Sequence, residues 1–213
     1  MSTFAPRMLD GILDILKDDD NYMKNGKKQH AIIAGINWVV LDVQGDKALL
    51  ITDKILEKRS YHKADSDISW EACTLRKYLN NEFYNKLGAA KLAVVETRVS
   101  NPSNTWYSTN GGNTTLDKIF LLSLGEVCKY FGNSTGYVNK KGSTKDDNYI
   151  NDINNTARKA KDTSGKAYWW WLRTPGNSRK RTSVVEDRGD VRVSGISVNN
   201  ATGGVRPAMW LNL

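Results

Sequence analysis

Histidine and cysteine are scarce in this chain, with two of each in 213 residues. That scarcity excludes much side-chain chemistry. A serine or cysteine nucleophile needs a base, usually histidine, brought against it. Neither His30 nor His62 stands beside a nucleophile elbow, and both read as surface or strand-end imidazoles. Zinc needs Cys and His at short spacing, and the chain has no C-x-x-C and no H-x-x-x-H. It also lacks a G-x-x-x-x-G-K-[ST] phosphate loop, and the glycines of GDVRVSG do not lie between a strand and a helix as a dinucleotide fingerprint requires. No apolar run approaches the ~20 residues of a membrane span. The opening MSTFAPRMLDGILDILKDDD lacks the basic region and unbroken apolar core of a secretory signal. Cys73 and Cys128, far apart and each in an apolar-periodic context, read as buried free thiols, which suits a reducing compartment and cytoplasmic synthesis. No cofactor is expected. For metals, KDDNYINDIN offers Asp146, Asp147, Asn148, Asp152 and Asn154, but the spacing departs from a calcium-binding EF-hand loop, so no metal site is assigned. Carboxylates distant in sequence can meet in space, so paired-acid hydrolysis stays open.

Tryptophan, by contrast, is plentiful: seven residues, against four methionines. It reads as structural material. The net charge of +8 and a pI near 9.4 allow attraction to nucleic acid, anionic glycans or acidic partners. The basic residues are scattered through KNGKK, NKKGSTK, RKAK and SRKR, without the single stripe of a nucleic-acid binder, so a solvated basic surface is the plainer reading. The length fits one large domain, or one domain with an appendage.

Residues 5–17 carry Met8, Leu9, Ile12, Leu13, Ile15 and Leu16 at helical spacing, which predicts an amphipathic helix. It is either the first helix of the domain or a docking handle for another subunit, followed by a polar linker through residue 29. The domain proper spans 30–213. Two β-rich runs in residues 31–56 flank QGDK, a hairpin-like turn. Trp70, Cys73 or Thr74, Leu75, Tyr78, Leu79 and Phe83 then fall at helical intervals, with Ser69 as the available N-cap. A further helix is expected around Ala89, extended chain over VVETRVSNP, a strand at KIFLLS and a short helix closed by Gly132. Residues 133–166 read as loop with one helical turn near DINNTARKAKD. Strand and helix mix without regular alternation, so the class is α+β.

The C-terminal stretch from Tyr168 is bulky at both ends and polar in the middle. In GDVRVSGISVNN, Val191, Val193, Ile196 and Val198 alternate with Asp190, Arg192, Ser194, Ser197 and Asn199, which predicts a β-hairpin or two short strands with one buried face. Upstream, the turn signal Pro175-Gly176 leads into Asn177, Ser178, Arg179, Lys180, Arg181 and Ser183, then Glu186, Asp187 and Arg188. This is either an ordinary charged loop or a recognition surface presented by a rigid frame.

Four blocks in order, INWVVLDVQGDKALLITDKILEKRSYH, WEACTLRKYLNNEFYNKL, WWWLRTPG and GGVRPAMWLNL, resemble the signature blocks of a bacterial and phage domain family of formally unknown function. That family typically reads I-x-W-x-V-L, A-L-L-I-[ST], W-x-x-S-x-L-R-x-W-L-N, W-L-R-[ST]-P-G and G-V-R-P-A-x-W-L. The match runs from about Ile32 to Leu213, with Cys73 in place of the usual Ser and Tyr78 in place of the usual Trp. The family resembles the C-type-lectin-like, formylglycine-generating-enzyme-like fold, a single domain with irregular loops. It also resembles the variable proteins of diversity-generating retroelements, in which adenines of a template are miscopied to rewrite a C-terminal ligand-binding surface. Asn177, Asn199 and Asn200 stand among Ser, Arg, Asp, Val and Ile, all reachable from an AAC codon by changing adenines.

The resemblance implies that Trp169, Trp171, Leu172, Arg173, Pro207 and Trp210 form a fixed frame. The side chains from Asn177 to Asn200 would be the reading face, with Tyr168 and Trp170 as aromatic candidates at its edge. Arg173 and Arg206 are expected to offset their burial through backbone or carboxylate hydrogen bonds. The function so implied is non-catalytic binding of a protein or cell-surface ligand, with self-association or assembly into a virion through the N-terminal helix. The alternatives are a nucleic-acid-binding protein and an enzyme of the formylglycine-generating type.

Overall fold

The computed structural model describes residues 23–24, 27–139 and 148–213. The helix expected over residues 5–17 lies outside the described residues, as does most of its linker. Within that linker, Met23–Lys24 pairs with Lys27–Lys28 as a short antiparallel ladder. The domain opens with β1 (His30–Ile33), β2 (Ile36–Gln44) and β3 (Lys47–Thr52). These form an antiparallel meander, and the expected QGDK hairpin is the β2–β3 turn, where Gly45 takes a φ of 60°. The extended chain predicted up to residue 56 leaves this sheet after Thr52, and Glu57–Lys58 joins a second sheet instead.

α1 (Thr74–Tyr78) continues through a π-type turn at Leu79–Phe83 to Lys86. It buries Leu75, Tyr78, Leu79 and Phe83, the face its spacing predicts. Its cap differs from expectation. Ser69 precedes a separate 3-10 turn, Trp70–Ala72, and makes no capping bond; the Cys73 Sγ accepts from the Arg76 N–H instead. Burial pushes the Cys73 thiol up to about 12, and that of Cys128 likewise, and both are free and buried. α2 (Leu124–Tyr130) starts with a complete capping box between Ser123 and Glu126.

KIFLLS does not form a ladder strand. Residues 119–122 are buried, but among the described residues their only ladder contact is the Phe120–Ala208 bridge; Leu122 O accepts from the Arg173 N–H, and side chains take Ile119 N, Ile119 O and Leu121 O. Asn80 Nδ2 donates to Ile119 O at 2.8 Å, and Arg173 Nη1 to Leu121 O at 2.6 Å.

The C-terminal third forms β4 (Trp170–Pro175), β5 (Arg181–Val185), β6 (Val191–Ser197) and β7 (Ala208–Asn212). GDVRVSGISVNN is therefore one strand with an irregularity, not a hairpin. One sheet runs β1, β2, β3, β7 and Val94–Val95; the other runs Tyr149–Ile150, β6, β5, β4, Gly204–Val205 and Glu57–Lys58. A single core joins them, so the described residues form a sheet-rich α+β domain with few helices. Among the described residues no helix is long and apolar enough to cross a membrane.

Tryptophan fills this core as expected: Trp38, Trp70, Trp170 and Trp171 are fully buried. Two buried arginines lock it. Arg173 donates to Ser100 O, Leu121 O and the Glu126 carboxylate, tying β4 to α2. Arg206 donates to Thr52 O at 2.8 Å and lies 5.0 Å from the Trp170 ring and 5.2 Å from that of Phe131. Burial works against a charged Glu126, but the Arg173 guanidinium and the Ser123 donors outweigh it and hold the carboxyl below its usual range.

A carboxyl with a lowered native pKa contributes stability above its unfolded value and loses that contribution as pH falls through the native one. The melting temperature should therefore hold near neutral pH and drop below about 4.5, the ordinary glutamate value. Glu126→Gln should cost on the order of 2 kcal/mol at pH 7 and flatten the acid limb. Thermal melts between pH 3 and 7 measure both.

Candidate ligand-binding face

β4, β5 and β6 step out of register around one residue. On β4 the residues Leu172, Arg173 and Thr174 lie opposite Ser183 alone, and on β6 so do Val193, Ser194 and Gly195. Bulges of this kind leave carbonyls without ladder partners. Side chains meet them. Asn104 Nδ2 donates to Pro175 O at 2.8 Å and Val193 O at 2.9 Å, and Thr182 Oγ1 lies 2.8 and 2.7 Å from the Leu172 and Thr174 carbonyls. Ser183 Oγ lies 3.2 Å from Pro175 O and 3.1 Å from Val193 O.

The same irregularity builds the base of a projecting turn. Gly176 N donates to Arg181 O and Asn177 N to Ser194 O, while the Arg181 guanidinium donates to Gly195 O at 2.6 and 3.1 Å. Gly195 has a φ of 77°, and a Cβ there would stand 2.4 Å from Thr182 O; one on Gly176 would stand 2.3 Å from Ser194 O. Only glycine permits this approach. Above the base, Asn177, Ser178, Arg179 and Lys180 are exposed. Beside them lie Ser197, Asn199 and Asn200, held by the Val198 N–H to Lys180 O bond.

A second segment joins this tip that the sequence did not associate with it. Ile68 N donates to Arg179 O and His62 N to Val198 O, so exposed Lys63, Asp65 and Asp67 belong to the same end of the molecule. Nothing local signals this, because the contact spans more than a hundred residues.

The predicted face is not one surface. Glu186, Asp187 and Arg188 occupy the turn at the opposite end of β5, roughly 15 Å away at ~3.3 Å per residue. Glu186 is half-buried with Arg192 3.7 Å away; burial, then the neighbouring Asp190 and Asp187, raise its pKa against the opposing effect of Arg192. Arg192 also lies 5.8 Å from the Tyr149 ring, and burial followed by this second guanidinium lowers the pKa of Arg181.

Four assigned residues face inward. Trp170 and Ser183 are fully buried, and Asp190 and Ser194 nearly so. For Trp170 the reason is packing against Phe131 and Arg206, with its indole N–H donating to Arg158 O. For Ser183 and Ser194 it is the bulge, which breaks the simple alternation along β6. Of the aromatics at 168–171, Tyr168 and Trp169 are half-exposed and stacked at 6.0 Å, with Lys58 Nζ 3.8 Å above the Tyr168 ring. Trp169, assigned to the frame, is thus also reachable from solvent.

Asp146 and Asp147 lie outside the described residues. The other candidate calcium ligands are engaged internally: Asn148 Oδ1 accepts from Tyr107, and Asp152 binds Arg158, Ser134 and the Asn154 N–H. Among the described residues no cluster of His, Cys, Asp and Glu could hold a metal ion. His62 Nδ1 accepts from Thr74 N at 3.3 Å.

Fold and site thus define a mixed α+β domain whose buried frame supports polar loops. Residues 45–213 match the family described as Domain of unknown function (DUF6273), and the chain belongs to that family. No curated protein and no solved structure matches it.

Gly195→Ala should destabilise the domain by roughly 1–2 kcal/mol from its backbone conformation alone, and by more once the clash with Thr182 is added. A denaturation midpoint close to wild type would contradict the close approach at the turn base.

Proposed function

We propose that this chain is a non-catalytic ligand-binding protein of the C-type-lectin-like kind, related to the variable proteins of diversity-generating retroelements, whose target is a protein or cell-surface molecule. The observation that carries the reading is the contrast at the 177–180 turn. Its base is closed by two glycines and a donating arginine, while its tip exposes Asn177, Ser178, Arg179 and Lys180. Loops held on a rigid scaffold tolerate side-chain exchange and lose little entropy on binding. The recognition surface is the 177–180 tip with Asn199 and Asn200, joined by the 63–67 segment. Asp187 and Arg188, at the far end, serve a separate contact or none.

Population sequencing of the coding locus tests this. Substitutions confined to template adenines at codons for exposed tip residues, with those for Gly176, Gly195 and the buried frame unchanged, are the expected outcome. Changes spread evenly over buried and exposed codons, or the lack of a near-copy template, would remove the retroelement reading.

The formylglycine-generating alternative requires reactive thiols close together. Cys73 caps α1 beside Tyr61, whereas Cys128 lies on α2 near Arg158 and Asp152. With both thiols pushed up to about 12, neither should react with iodoacetamide in the native protein at pH 8, and both should react after unfolding. Rapid native alkylation of either would favour the enzyme.

A further inference from the structure

A cleft of about 280 Å³ opens where residues 59–63 pass the outer face of α1 and its continuation. Its lining carries three cations, Arg59, Lys63 and Lys77, against one carboxylate, Glu82. Arg59 is already fixed. Its guanidinium lies 3.7 Å over the Tyr78 ring and is paired with Glu57 at 3.2 Å. Burial works against its charge, but Glu57 and Tyr78 outweigh that and keep it protonated. Burial, and then Glu57, push the Tyr78 hydroxyl up to about 12, so the aromatic wall stays neutral.

Lys63 and Lys77 are in a different state. Both are exposed, and among the described residues neither has an ion-pair partner. The hydroxyls of Ser60 and Thr74 and the Asn81 amide also line the cleft, and among the described residues none of them has a side-chain hydrogen bond. Two uncompensated ammonium groups, a fixed guanidinium and three neutral polar groups thus share one small concavity. Surface lysines usually point apart into water; here the packing of residues 59–63 against α1 brings two of them to one cavity.

We infer that this cleft binds a compact oxyanion, the phosphate group of a phosphate monoester, through Lys63, Lys77 and Arg59, with Ser60 and Thr74 donating to its oxygens. Its volume falls just below the ~300–1,000 Å³ of pockets that enclose drug-sized ligands, so a head group fits and a large ligand does not. The Glu82 carboxylate and the Asn81 side-chain carbonyl in the same lining can accept hydrogen bonds from hydroxyls on the organic part of an ester. This favours an ester over the free ion. The cleft shares Lys63 with the segment beside the tip but none of Arg179, Lys180, Asn199 and Asn200, so substitutions at the tip separate the two surfaces.

Isothermal titration calorimetry of the full chain with inorganic phosphate, glycerol 3-phosphate and glycerol tests the inference. The expected result is saturable binding of both phosphates, the ester tighter, with no heat from glycerol. Lys63→Ala/Lys77→Ala should weaken binding by about tenfold or more with an unchanged melting temperature, since both side chains are exposed. Arg179→Ala/Lys180→Ala, at the tip, should bind as wild type. Absence of saturable binding, or equal binding by the Lys63/Lys77 variant, overturns the site. Loss in the Arg179/Lys180 variant instead would assign the anion to the tip and overturn it as well.

Discussion

Three strands that lose register around Ser183 set the terms for the rest of this structure. A bulge frees backbone carbonyls, and a buried carbonyl without a donor costs free energy comparable to a lost hydrogen bond. The chain meets the demand with Asn104, Thr182 and Ser183, residues drawn from a distant loop and from the strand itself. The price of that arrangement is paid in side-chain freedom at Gly176 and Gly195, where no Cβ fits. In return the 177–180 turn leaves the sheet from a base that has little room to relax.

The buried arginines extend the same logic outward. Arg173 and Arg206 are charged groups in an apolar interior. Carbonyls and the Glu126 carboxylate surround Arg173. Arg206 has the Thr52 carbonyl and two aromatic faces, its Nη1 is left without a partner among the described residues, and burial lowers its pKa to about 10. Each joins segments far apart in the chain: Arg173 links β4 to α2 and to residue 100, and Arg206 links the approach to β7 with the end of β3. They act as cross-links between the two sheets' surroundings, so the frame under the tip is continuous with the core.

Much of the fold was legible in advance. The hairpin around QGDK, the buried face of α1, the short helix α2 and the buried thiols all follow from periodicity and composition, which local sequence carries directly. What failed has a common cause. KIFLLS has a strand's composition, yet Arg173 and Asn80 take backbone groups that a ladder would have used. Ser69 looked like the cap of α1, yet Cys73 holds that place because the helix begins after an intervening 3-10 turn. Of the candidate site, residues 177–180 are exposed, but four of the residues named face inward, and the 63–67 segment that packs beside them was not associated with them.

The sequence alone determined which stretches would be apolar, where turns fall and that a tryptophan-rich frame encloses a polar middle, because these depend on residue type and short spacing. Only the tertiary structure decided which polar side chains of that middle face outward. Alternation predicts facing only while the pleat is unbroken, and here the two bulges opposite Ser183 break it. Tertiary packing also decided which distant residues share a surface, since Ile68 meets Arg179, and Lys63 approaches Lys77, through contacts that no local pattern encodes.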